Sequence, residues 1–286
     1  SNNTAVGYGA LEANTTGYDN VAVGRNALDA NTTAHSCVAV GESSLTSNTT
    51  GIRNTAVGQG ALAACSTGIE NTALGQNAAN DVTTGSYNVA LGQNALAVCS
   101  TGSGNICVGV NAGDAITAND NVCVGRSAGT AITGTNGKWN VAVGFNALQA
   151  QGAAFSTTAV GQNCLYSNTA NGSTAYGSNT CSANTSGENN NGFGYFTLNS
   201  VTTGNSNVAF GTVAGRYITT SDNNSCFGIA SGGAITNLDN QELSYNKVNY
   251  DQGGIIIASN DIKTHESKCK QIKAIIKEFN LFPIDN

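Results

Sequence analysis

Along most of the chain a short apolar triplet runs into a glycine, and polar residues separate one triplet from the next. The first two copies are Thr4-Ala5-Val6-Gly7 and Val21-Ala22-Val23-Gly24. Indexed by that glycine, the copies fall at Gly7, Gly24, Gly41, Gly58, Gly75, Gly92, Gly109, Gly125, Gly144, Gly161, Gly177, Gly194, Gly211 and Gly228. The spacing is 17 residues six times in succession, then 16, 19, 17, 16, 17, 17 and 17. Fourteen copies in register define a solenoid, in which each repeat is one unit stacked on its neighbours.

Reading the repeats as columns assigns a task to each position. Immediately before the glycine stand Val6, Val23, Val40, Val57, Leu74, Leu91, Val108, Val124, Val143, Val160, Tyr176, Phe193, Phe210 and Phe227, all apolar. Two before it the column is small, mostly Ala, with Cys107, Cys123, Gly192 and Cys226. A Val-Ala-Val triplet is β-prone but does not alternate, the pattern of a strand buried on both faces. The larger column is therefore expected to form the structural core, and the small column to admit a neighbouring backbone. The aromatic residues at its C-terminal end, Tyr176, Phe193, Phe210 and Phe227 with Tyr195 and Phe196, are expected to widen that core. A second apolar pair after the glycine, as in Ala10-Leu11, Ala27-Leu28 and Ala61-Leu62, predicts a second strand. Loops such as Asn14-Thr15-Thr16-Gly17 return the chain, and the glycine after each strand suits a corner with positive φ. The expected fold is all-β: a parallel β-solenoid of about 14 coils over residues 1–232, roughly 65–70 Å long at ~4.8 Å per coil.

Composition narrows the partners. Only 10% of the 286 residues are charged and the mean hydropathy is −0.12, so Asn, Ser, Thr and Gly supply the polarity. A net charge of −6, with no basic cluster before residue 260, argues against nucleic acid as a partner. No apolar run approaches the ~18 residues of a spanning helix, so no membrane insertion of this chain is expected.

The phrase Ala22-Val23-Gly24-Arg25-Asn26-Ala27-Leu28 resembles the head repeat of YadA-like trimeric autotransporter adhesins, and the fuller N-T-T-G-x-x-N-x-A-V-G-x-x-A-L form is similar to repeats of viral and phage tail-fibre proteins. The resemblance covers about residues 1–232. It implies a left-handed β-roll, a homotrimer of chains packed side by side, and an adhesive or receptor-binding role. The sequence shows no signal peptide, anchor barrel or long stalk, so the chain is expected to be a mature or excised piece.

After Gly232 the composition changes: the last 54 residues hold 13 charges, against 15 in the preceding 232. This segment, 233–286, is expected to cap the rod or trimerise it. It contains a strand at Ile255-Ile256-Ile257-Ala258 and a helix over about 264–280, in which Cys269, Ile272, Ile276 and Phe279 repeat at 3-4-3 spacing. Ile at both apolar positions of a heptad leans toward three strands.

Sites of chemistry are sparse. The two histidines, His35 and His265, lie far apart, and no metal, nucleotide or cofactor motif occurs. Three of the nine cysteines, Cys107, Cys123 and Cys226, replace Ala in the small column, and most are expected to be buried free thiols. The Asn column four before the glycine, filled eleven times, is expected to be a structural amide ladder rather than a sugar site. Carboxylates such as Asp114 and Asp120 form no evident catalytic pair, so no enzyme is expected. The longest repeat, Gly125 to Gly144, carries Lys138 and Trp139, the chain's only Trp, and these are the candidate ligand contacts. Together the features predict a structural and adhesive fibre protein. It would form the head or shaft of a virion or cell-surface fibre and attach to a host-surface glycan or protein receptor. The alternatives are an ice-binding solenoid, using the Thr column nine after the glycine (Thr16, Thr33, Thr50, Thr67, Thr84, Thr101, Thr203 and Thr220), and a glycan-degrading fibre.

Overall fold

A computed structural model describes residues 2–134, 136–150 and 152–232 together with the strand Glu242–Ser244. Each repeat contributes one three-residue strand. These are β1 Thr4–Val6, β2 Val21–Val23, β3 Val38–Val40, β4 Thr55–Val57, β5 Thr72–Leu74, β6 Val89–Leu91, β7 Ile106–Val108, β8 Val122–Val124, β9 Val141–Val143, β10 Thr158–Val160, β11 Thr174–Tyr176, β12 Asn191–Phe193, β13 Val208–Phe210, β14 Ser225–Phe227 and β15 Glu242–Ser244. They form one parallel sheet in chain order, so the protein is a parallel β-solenoid with one strand per coil. We number each coil by its strand. The register is that of the glycine index, with Ala22 opposite Ala39 and Val23 opposite Val40. β15 carries the register one coil past Gly228, pairing Ser225 with Glu242 inside the segment that composition had set apart. The strand at 255–258 and the helix with Cys269, Ile272, Ile276 and Phe279 lie outside the described residues.

The indexed glycine is required by two separate constraints. At Gly75 the backbone has φ 137°, a region L-residues rarely enter. A Cβ built there would also lie 2.6 Å from the carbonyl carbon and oxygen of Gly92 on the next coil. Stacking is therefore closest at this corner, and a side chain would force two coils apart.

The interior is narrow, and the small column fills it. Ala22, Ala39, Ala56, Ala73, Ala90, Cys107, Cys123, Ala142, Ala159, Ala175, Ala209 and Cys226 are completely buried. Successive strand residues face opposite ways, so the flanking column must point outward. This corrects the expected core: Val6, Val23, Val40, Val57, Leu74, Leu91, Val108, Val124, Val143, Val160, Tyr176, Phe193, Phe210 and Phe227 lie on the outer face. Val6 is 58% exposed, Leu74 52% and Phe227 44%. The reason is geometric. A 17-residue coil closes around too small a section for Val, Leu or Phe on the strand wall once Leu28, Leu45 and Leu62 project in from the other side. The aromatic residues likewise stack outside, Phe193 on Phe210 at 4.5 Å between ring centroids, and do not widen the core.

The Ala-Leu pair is not a second strand. Leu28, Leu62, Leu96 and Leu148 sit in left-handed conformation at φ 49–53° within tight turns, with their side chains buried. Their amides still bond from coil to coil, Leu28 N–H to Ser44 O at 3.0 Å and Leu62 N–H to Ala78 O at 3.0 Å. The wall is laddered but not extended. Where this column holds Gly, as at Gly113, Gly129 and Gly215, the residue three further on becomes Ile116, Ile132 or Ile218, each fully buried. A Cβ on Gly113 would lie 2.8 Å from Ile116 Cδ1. The core therefore keeps its volume while exchanging which position supplies it.

Candidate binding surfaces

The Asn column is a load-sharing ladder inside the coil. Asn88 accepts the backbone N–H of Asn105 at 3.0 Å and its Nδ2 at 3.3 Å, and donates its own Nδ2 to Gly102 O at 2.9 Å and to Asn71 Oδ1 at 3.1 Å. Asn54, Asn71, Asn105, Asn121 and Asn140 are buried and bonded in the same way. Their polar groups are used internally, so the column is structural and presents nothing to a sugar. At Cys37, which interrupts it, the thiol donates to Gly51 O at 3.3 Å.

The eight described cysteines are buried and free. Burial pushes Cys99 and Cys226 up to about 11. Cys107 is raised too, by the Cys123 thiol beside it and by burial. Such thiols are small apolar fillers with little thiolate at neutral pH.

Three strips on the outside of the coil bear on the sequence-based expectations. The first is the outer face of the sheet, where the column before the glycine forms a continuous apolar stripe over β1–β14, flanked by a mixed column three before the glycine in which Val or Ile alternates irregularly with Thr4, Thr55, Thr72, Thr158, Thr174, Asn191 and Ser225. The C-terminal part of the stripe is the parallel ring stack of Tyr176, Phe193, Phe210 and Phe227. The second strip is the Thr row. Thr16, Thr33, Thr50, Thr67, Thr84 and Thr101 are exposed on six consecutive coils. The neighbouring Thr15, Thr32 and Thr49 instead donate their hydroxyls to carbonyls of the next coil at 2.8–3.1 Å. Both 16-residue repeats omit the residue of this row, and the 19-residue repeat adds its two residues there. Every length change in the solenoid is absorbed at this one corner.

The third strip contains the predicted ligand contacts. Trp139 sits at a corner with φ 59° and is 62% exposed rather than packed on the adjacent coil. Lys138, half-buried beside it, accepts the Ser156 N–H at 3.0 Å through its carbonyl. Phe155, one coil on, is also exposed. Among the described residues no three His, Cys, Asp or Glu side chains gather to hold a metal.

These features define a class: a parallel β-solenoid repeat protein with a buried apolar core, small on the strand wall, and an outer sheet face that carries an apolar stripe. No protein-family model, curated protein or solved structure matches the chain.

Proposed function

We propose that the protein is a structural and adhesive fibre element, the head or shaft of a virion or cell-surface fibre, assembled as a homotrimer and engaging a receptor on a host or other surface. The observation that carries this reading is the apolar outer stripe. It runs along β1 to β14 at ~4.8 Å per strand, with Val6, Leu74, Phe210 and Phe227, and Ile106 of the flanking column, each at least 40% exposed in the single chain. Monomeric soluble proteins rarely leave so long an apolar strip in water. Packing the outer faces of three chains on a common axis covers it and leaves the Thr row and the Trp139 corner available for contact. The fibre reading also suits a core without charge and a ladder that adds length without adding fold.

The test is mass in solution. Light scattering at micromolar concentration is expected to give three times the 28.8 kDa of one chain; a mass of 28.8 kDa removes the trimer and the main support for a fibre. The exposed Thr row favours a second reading, an ice-binding surface, and thermal hysteresis at micromolar protein would select it. A glycan-cleaving role draws less support, because Asp114 holds the coil position that Ala97 and Thr130 hold in the adjacent coils, with no second carboxylate stacked beside it.

A further inference from the structure

One groove of the solenoid lies on neither the sheet face nor the Trp139 corner. It is an open depression of about 640 Å³ on the turn side of coils 9 to 12. Its origin is local. In the column five after the glycine, Tyr166, Ser182 and Asn199 follow one another on successive coils. The small Ser182 between two longer side chains leaves a depression, and Ala183 beside it deepens the gap. The opposite wall is an amide row two after the glycine, in which Asn146 donates Nδ2 to Asn163 Oδ1 at 3.3 Å and Asn163 donates to Asn179 Oδ1 at 3.3 Å. Asn199 reaches across, its Nδ2 donating to Asn179 O at 3.0 Å and to Ser182 Oγ at 2.6 Å.

Resting on the attachment function proposed above, we infer that this groove is a receptor subsite for a neutral, linear oligosaccharide lying along the solenoid axis. Three features select that chemistry. None of the lining residues is charged, so neither a cationic nor an anionic ligand is compensated. The walls offer carboxamides and hydroxyls, which both donate and accept, as sugar hydroxyls do. Asn146 and Asn163 each use one of their two amide protons in the row, and Asn179 donates one to Ser178 Oγ at 3.0 Å, so each keeps a second. The hydroxyls of Tyr166, Ser167 and Ser200 have no hydrogen-bond partner among the described residues. Finally, Tyr166 supplies one exposed ring at the groove's rim, an apolar face with a polar tip, which is what a pyranose ring stacks on. The groove is about 14 Å long at ~4.8 Å per coil, room for a short run of sugar units and too open for an isolated small molecule.

The experiment is calorimetric titration of the full chain with linear neutral oligosaccharides of glucan, chitin and N-acetyllactosamine type, with sialylated and sulfated glycans and a neutral Ser/Thr-rich peptide alongside. Attachment of the labelled protein to whole cells is read in parallel. The expected result is binding of at least one neutral oligosaccharide, weakened about tenfold by Tyr166→Ala. Ser182→Gln, which fills the depression and leaves the ring in place, is expected to weaken it as well. Circular dichroism melting shows that both variants are folded. Binding unaffected by both folded variants overturns the inference, as does a preference for the anionic glycans or the peptide, or no binding by the panel. If cell attachment survives Tyr166→Ala, the groove assignment fails while the attachment reading stands. If the wild-type chain attaches to nothing, the attachment reading fails with it.

Discussion

Ala56 and Val57 are adjacent residues of one strand, and the protein treats them in opposite ways. Ala56 faces the closed interior and is completely buried. Val57 faces outward, and in its column Val, Leu, Tyr and Phe interchange freely. Size tolerance is therefore the signature of the outside of this solenoid and size restriction that of the inside, the reverse of the usual expectation that the larger apolar residue is buried. The inside also holds the hydrogen-bonded Asn ladder, whereas the outside carries the half-exposed apolar groups.

The largest effect that would test this contrast is expected at the inner corner. Gly75→Ala must both hold a Cβ at φ 137° and displace the Gly92 carbonyl. A loss of about 3 kcal/mol or more is expected in chemical denaturation, and a loss below 1 kcal/mol would show that the corner is looser than described. Next comes the ladder. Asn71→Ala removes the acceptor of the Asn88 N–H and Nδ2 bonds, at 3.0 and 3.1 Å, and the donor to Gly85 O. Leaving those buried groups unpaired is expected to cost about 2–3 kcal/mol, read as a shift of the denaturation midpoint.

The inner thiols give a pH test of the same burial. Burial raises the folded values of Cys99 and Cys226 from the ordinary 9 to about 11. The unfolded chain therefore releases these protons first, and stability is full below pH 9 and falls as the pH rises from 9 to 11. A melting temperature flat across that window would mean that the thiols are solvated. The smallest effect is expected outside. Val57→Ser should change the stability of the single chain by no more than about 0.5 kcal/mol. In the proposed trimer the same substitution should raise the concentration at which light scattering detects dissociation. This outer variant and Ala56→Ser, made in parallel, compare the two faces directly.

How far the sequence disclosed this arrangement depends on how uniform the chemistry of each column is. The coil period, the strand positions, the glycine corner and the Asn ladder were all legible, because each demands one residue type for a stated physical reason. Which face of the strand points inward was not. A triplet such as Val38-Ala39-Val40 is apolar throughout and offers no alternation to read, and only the circumference of the closed coil decides that Ala fits within. The left-handed Leu residues were hidden in the same way, since Leu is an improbable residue for φ near 50°. A signal existed: Gly113, Gly129 and Gly215 share that column, and an Ile follows each at the same distance. A position that accepts either Leu or Gly is a backbone constraint first and a packing position second. Of the candidate contacts, Trp139 stood out through its rarity, whereas the groove beside Tyr166 arises from a small residue between two larger ones on different coils, a relation visible only when the columns are stacked.

The direction of the hydrogen bonds has a mechanical consequence. Because each strand lies across the rod, the bonds from coil to coil point along it: Val21 N–H to Cys37 O, Gly41 N–H to Val23 O, Ser43 N–H to Arg25 O, Leu28 N–H to Ser44 O and Ala30 N–H to Thr46 O all span the second and third coils. A pull spread over the whole of each end coil would load these rungs side by side, with the buried amides in parallel. Tension is shared around the whole circumference, and extension should appear as abrupt steps of one coil's contour length rather than as gradual peeling. A filament built in this way transmits force along its axis with little give until a whole turn releases.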